Sequence, residues 1–145
     1  MHLVLIDLIP ALLSWGGRDR SEPPEVAPGA AHAMGHLYER FYVVGIADAG
    51  TPSPLLRRHL EKEDLARFFD SVSTSATHGP ALTARAVRRI VAAAARGERP
   101  IVVTGRAHLA DELARARIPT VLTTHEAFES AAESVFALAD GRLTP

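Results

Sequence analysis

The chain contains no cysteine. Disulfides, thiolate metal ligands and cysteine nucleophiles are therefore excluded. Lysine is almost missing as well: of the sixteen Lys and Arg residues only Lys62 is a lysine. Any chemistry that needs an ammonium group has one candidate. There is no excess of either charge, since the formal net charge is −1, and so no electrostatic basis for binding nucleic acid or an anionic membrane. No apolar run is long enough to span a bilayer. The N-terminal apolar stretch is interrupted by Asp7 and Pro10 and lacks a basic leader, so it does not read as a signal peptide. A cytoplasmic protein is the expectation.

What is present is enough for one domain. At 145 residues and 47% hydrophobic content, the chain can bury a real core and is not disordered in composition. His2-Leu3-Val4-Leu5-Ile6-Asp7 is a short, almost wholly apolar run and reads as a buried strand. Residues 8–27 carry Gly16-Gly17, Pro23-Pro24 and several charges. They read as a loop with one helical turn near Pro10–Ser14, placed where a flap over a site is expected. Pro28 suits the first position of a helix running to about Arg40. Phe41–Ala47 is a second strand, and Thr51 or Ser53 caps a helix that contains Pro54 near its start. A third strand covers about Ser71–Ser75.

Gly79-Pro80 breaks the chain before an amphipathic helix over 81–96, closed by Gly97. Pro100–Gly105 is a fourth strand and turn, a short helix follows over about 107–117, and Thr120–Leu122 is a fifth strand. Thr123-Thr124-His125-Glu126 has capping-box spacing for a last helix to about Ala139. Strands and helices alternate throughout. That implies an α/β fold with a parallel sheet between two helical layers, without repeats or a linker.

Asp7 carries the most information. A carboxylate at the C-terminal end of a parallel strand stands where α/β proteins place nucleophiles and metal ligands. With Leu5-Ile6-Asp7-Leu8-Ile9-Pro10-Ala11-Leu12 at the start, Ala27-Pro28-Gly29-Ala30 before the first helix, and Val43-Val44-Gly45-Ile46-Ala47-Asp48 as the second strand, the chain resembles the haloacid dehalogenase-like (HAD) superfamily. The match in layout continues through Phe69-Asp70-Ser71-Val72, Thr77-His78-Gly79-Pro80 and Val102-Val103-Thr104-Gly105-Arg106 with Asp111 downstream. It covers most of the chain. The resemblance implies a single-domain, three-layer Rossmann-like fold with a five-stranded sheet ordered 3-2-1-4-5 and no cap domain.

The resemblance also implies which groups should carry chemistry, and most of them are absent. Family members have Asp-x-Asp-Gly-Thr at the first strand, where the first Asp attacks phosphorus and the second transfers a proton. Here Asp7 holds the nucleophile position and Ile9 replaces the second acid, with no proton to transfer. Ala47 replaces the hydroxyl that holds the phosphoryl group. Gly79 replaces the charge-balancing lysine, and Lys62 lies on another helix. Arg106 replaces the acid that helps to hold Mg²⁺. Asp111 is retained. Magnesium requires hard oxygen ligands, usually with one or two carboxylates, so a guanidinium at this position opposes metal binding. In the implied sheet order the first and fourth strands are neighbours, and Arg106 is expected to stand in the metal's place and pair with Asp7.

Several other residues are candidates. His32 and His36 lie four apart on a predicted helix, a spacing that can chelate a metal, but no third ligand is identifiable. His78 and His108 fall in loops at the catalytic end under the family layout, as surrogate acid/base groups. Thr51 and Thr104 are hydroxyls near the missing Ser/Thr. Arg57 and Arg58, and Arg85, Arg88 and Arg89, form basic faces that read as solvated surface. Trp15, beside Leu12 and Leu13, is expected to fold back over the sheet end or to await a partner.

The function expected from these features is that of a degenerate, non-catalytic or strongly altered HAD-like domain. It would bind a protein partner or a small anionic ligand, without cofactor, nucleic acid or membrane. The alternative is a phosphatase- or dehalogenase-like hydrolase using Asp7, with Mg²⁺ as cofactor in the phosphatase case. Oligomeric state is left open.

Overall fold

The computed structural model describes residues 2–19, 21–47, 53–74, 82–94 and 99–142. Its main sheet consists of β1 (His2–Asp7), β4 (Phe41–Ile46), β5 (Ser71–Ser73), β6 (Pro100–Thr104) and β7 (Thr120–Leu122). All neighbouring pairs are parallel, and the order across the sheet is β5-β4-β1-β6-β7. Counted in chain order among these five, that is the expected 3-2-1-4-5. β2 (Leu13–Ser14) and β3 (Glu25–Val26) form a separate antiparallel pair.

The two-residue period of β1 divides the core. Val4 and Ile6 join Val43, Ile101 and Val103 on one face. That face is covered by α1 (Ala30–Arg40), α2 (Ser53–Lys62) and α5 (Phe128–Ala139), through residues such as Met34, Leu56 and Phe128. Leu3 and Leu5 join Val44, Ile46 and Val102 on the other face. There α3 (Ala84–Ala94) and α4 (Ala107–Arg115) supply Val87, Ile90, Leu109 and Leu113. Alternating side chains on a strand buried from both sides explain why β1 reads as an unbroken apolar run.

Local chemistry sets several boundaries. Asp70 accepts the Val43 N–H at 2.7 Å, and its own N–H donates to the Val43 carbonyl at 2.8 Å, which joins β4 to the start of β5. Thr83 accepts the Ala86 N–H at 3.1 Å, so α3 begins at Ala84 rather than at 81.

Three further expectations are corrected. α1 starts at Ala30 and not at Pro28, because Gly29 takes a left-handed conformation at φ 69° and the Glu129 side chain fills the space of its missing Cβ. The capping box at 123–126 does not form. The Thr123 hydroxyl donates to the Thr124 carbonyl, a short 3-10 turn occupies His125–Ala127, and α5 begins at Phe128. Residues 8–27 hold more regular structure than a loop with one helical turn. They make a kinked helical turn over Leu8–Leu12 with a cis Ile9–Pro10 peptide, then the β2–β3 pair. Leu8, Ala11, Leu12, Leu13 and Trp15 are buried. The Trp15 indole N–H donates to the Glu22 carbonyl at 2.7 Å, so the ring folds back onto the protein. Thr51, Ser75, Gly79-Pro80 and Gly97 lie outside the described residues. Among the described residues, no helix is long and apolar enough to cross a membrane.

Candidate functional site

The chain order reverses at β1, whose two neighbours are β4 and β6. In open parallel sheets the crevice beyond such a switch point, at the C-terminal strand ends, is the usual ligand site. β1 delivers Asp7 there, β4 leads to Ala47, and β6 delivers Thr104 and, two residues on, Arg106.

Asp7 and Thr104 both have 0% relative exposure. The Thr104 hydroxyl donates to Asp7 Oδ2 at 2.8 Å, and Arg106 Nε lies 3.1 Å from the same oxygen. Arg106 also sends Nη2 to the Ile9 carbonyl at 2.7 Å, while its backbone N–H donates to Thr104 Oγ1 at 3.1 Å. Thr104 thus receives one hydrogen bond and passes one on. The guanidinium joins the end of β1 to the turn that follows it. A carboxylate removed from water is costly unless it is paired and hydrogen-bonded, and Arg106 and Thr104 meet both conditions.

The Leu8–Leu12 turn lies directly above this cluster. It packs against β6 and the His125–Ala127 turn. A Cβ built on Gly105 would come within 2.7 Å of Pro10 Cγ and 3.2 Å of the Thr123 carbonyl oxygen. Gly105 therefore lets Pro10 settle against the end of β6. Leu8 is seated in the same way, since a Cβ on Gly45 would stand 3.1 Å from its Cδ1. The segment that immediately follows Asp7 thus packs against the ends of β6 and β4.

The remaining candidates do not gather here. Ala47 is buried at the end of β4, where its N–H donates to the Ser73 carbonyl at 3.1 Å, and it offers only a methyl group. Asp111 is exposed on α4 and lines a different groove, with Arg117, Ile118, Thr120 and Leu122. Lys62 is exposed at the end of α2, and His108 is exposed in the first turn of α4. Gly79, His78 and Thr51 lie outside the described residues. His32 and His36 face each other on α1 with their Nε2 atoms 3.2 Å apart, and the groove they line includes none of Asp7, Thr104 or Arg106.

Two members of the cluster carry weight that sequence reasoning did not assign. Thr104 was legible only as a hydroxyl near the missing Ser/Thr position. The Ile9 carbonyl is a main-chain atom, and no side-chain pattern announces it. Among the described residues no three His, Cys, Asp or Glu side chains form a group able to hold a metal ion. The residues around Asp7 do not fit Mg²⁺ either, because the charged side chain beside its carboxylate is the Arg106 guanidinium and not a second oxygen ligand. The chain matches no protein-family model, and no curated protein matches its sequence.

Proposed function

We propose that this chain is a HAD-like domain whose catalytic crevice is closed, and that it works by binding a protein or a small anion rather than by turnover. One observation carries the reading: Asp7 is wholly shut off from solvent, with Arg106 Nε and the Thr104 hydroxyl on one carboxylate oxygen. A nucleophile must reach its substrate to within about 3–3.5 Å along an open line of approach. The strand order, the place of Asp7 and the helical turn and strand pair where a flap was expected all support the HAD-like assignment. The departures at Ile9, Ala47 and Arg106 support the loss of turnover.

The test is a panel of phosphate esters and haloacids, assayed with and without Mg²⁺, with Asp7→Asn as the control. The expected outcome is no turnover by the wild-type chain under any condition. Turnover that Asp7→Asn abolishes would overturn the reading and restore the hydrolase alternative.

A further inference from the structure

We infer that His32 and His36 form a surface site for a divalent transition-metal ion, independent of the Asp7 cluster. Their spacing of four residues sets both on one face of α1, at neighbouring heights on the helix. The two Nε2 atoms are 3.2 Å apart. Two imidazole nitrogens bound to one tetrahedral Zn²⁺ at about 2.0–2.1 Å stand about 3.3 Å from each other. The observed separation is therefore close to one edge of a zinc coordination shell. The rings are nearly perpendicular, at 85°, with centres only 4.6 Å apart, closer than a head-on N–H···N alignment would set them. In the metal-free pair the two Nε2 atoms can share one proton, with donor and acceptor roles that depend on the tautomers. A metal ion takes the place of that shared proton.

The surroundings favour a cation. His32 and His36 line a groove between α1 and α5 together with Glu129 and Glu133, over Ala132 and Phe136. Glu129 is held at the N-terminal end of α1, against Gly29. Glu133 is one turn further along α5 and brings a second negative charge to the groove. With no group of three ligating side chains among the described residues, the site has two protein ligands and water completes the shell. Imidazole donors select Zn²⁺, Ni²⁺ and Cu²⁺ over Mg²⁺ and Ca²⁺, so the ion class is distinct from that of the phosphatase alternative.

The experiment is calorimetric titration of the full chain with Zn²⁺ alone, repeated with Mg²⁺ and with His32→Gln and His36→Gln. Both side chains are exposed, so the substitutions leave the core intact, which far-UV circular dichroism checks. The wild-type chain is expected to take up Zn²⁺ but not Mg²⁺, and to show a rise in Tm on adding Zn²⁺. Each variant is expected to lose roughly tenfold or more in Zn²⁺ affinity, at least the loss that follows removal of a supporting outer-shell group, and to lose the Tm rise. Zn²⁺ affinity that falls by less than this in either variant, or a wild-type chain that takes up no Zn²⁺, overturns the inference. Neither result bears on whether Asp7 turns over a substrate.

Discussion

Arg106 reaches Asp7 across the junction of β1 and β6, with Nε 3.1 Å from Oδ2, and one arginine both neutralises a buried acid and anchors the Ile9 carbonyl. The Asp7 side chain has 0% exposure and that of Arg106 24%, so water screens the pair poorly. Replacing Arg106 by Met leaves the carboxylate buried without its counter-charge. Breaking such a pair from one side costs about 3–5 kcal/mol. Urea unfolding of Arg106→Met is expected to show a loss of that size, and Asp7→Asn/Arg106→Met should recover part of it. A single-variant loss no larger than that of an exposed surface pair would show that the contact is not structural.

Thr104 tests the other half of the arrangement. Its hydroxyl donates to Asp7 and accepts the Arg106 backbone N–H. Thr104→Val keeps the shape and removes both bonds. Hydrogen bonds to charged groups are worth about 1.5–3 kcal/mol, and the Val variant should lose about that much in urea unfolding. In a double-mutant cycle with Arg106→Met the two losses should not add, because both residues serve the same oxygen.

Gly105 sets how closely the Leu8–Leu12 turn approaches the end of β6. A methyl group there would meet Pro10 Cγ at 2.7 Å, and the Thr123 carbonyl oxygen limits retreat on another side. Gly105→Ala is expected to destabilise the fold by about 1–3 kcal/mol, as overpacking does. If thermal unfolding of Gly105→Ala matches wild type, the turn is not pressed against β6 as described.

The sheet was readable because its evidence is local. Leu3 and Leu5 against Val4 and Ile6 report a strand covered on both faces, and the later strands alternate with stretches of helical pattern. The Asp7–Arg106 contact was readable because β1 and β6 are adjacent and both residues follow strand ends. The closure of the crevice was not. Two-residue strands such as β2 and β3 have no period to detect, and Leu8, Leu12 and Trp15 look the same in a loose loop as in a packed turn. The start of α1 was misplaced for a similar reason. The proline rule favours Pro28, but Glu129, remote in sequence, occupies the Gly29 position from across the fold. Asp111 fits the family spacing, yet α4 carries it to an exposed groove instead of the crevice.

Through His59 on α2 the stability of the fold is expected to depend on pH. Its ring meets the buried Trp15 edge-on at 5.8 Å, and its Nε2 is buried with no hydrogen-bond partner among the described residues. Burial, then the charges of Lys62 and Arg58, hold the imidazole below its ordinary value of 6.5, with Glu63 opposing them. The folded chain therefore binds this proton less readily than the unfolded chain. The stabilising contribution is fully present above the ordinary histidine range and is lost as the pH falls below it, toward the depressed folded value. The chain has one tryptophan, so fluorescence-monitored urea unfolding reads the region directly. Between about pH 7 and pH 5, wild-type stability should fall with acidification, whereas His59→Leu should show a flatter profile because its side chain does not titrate. Equal slopes for the two proteins would assign the acid sensitivity to other groups and leave the Trp15–His59 contact as packing alone.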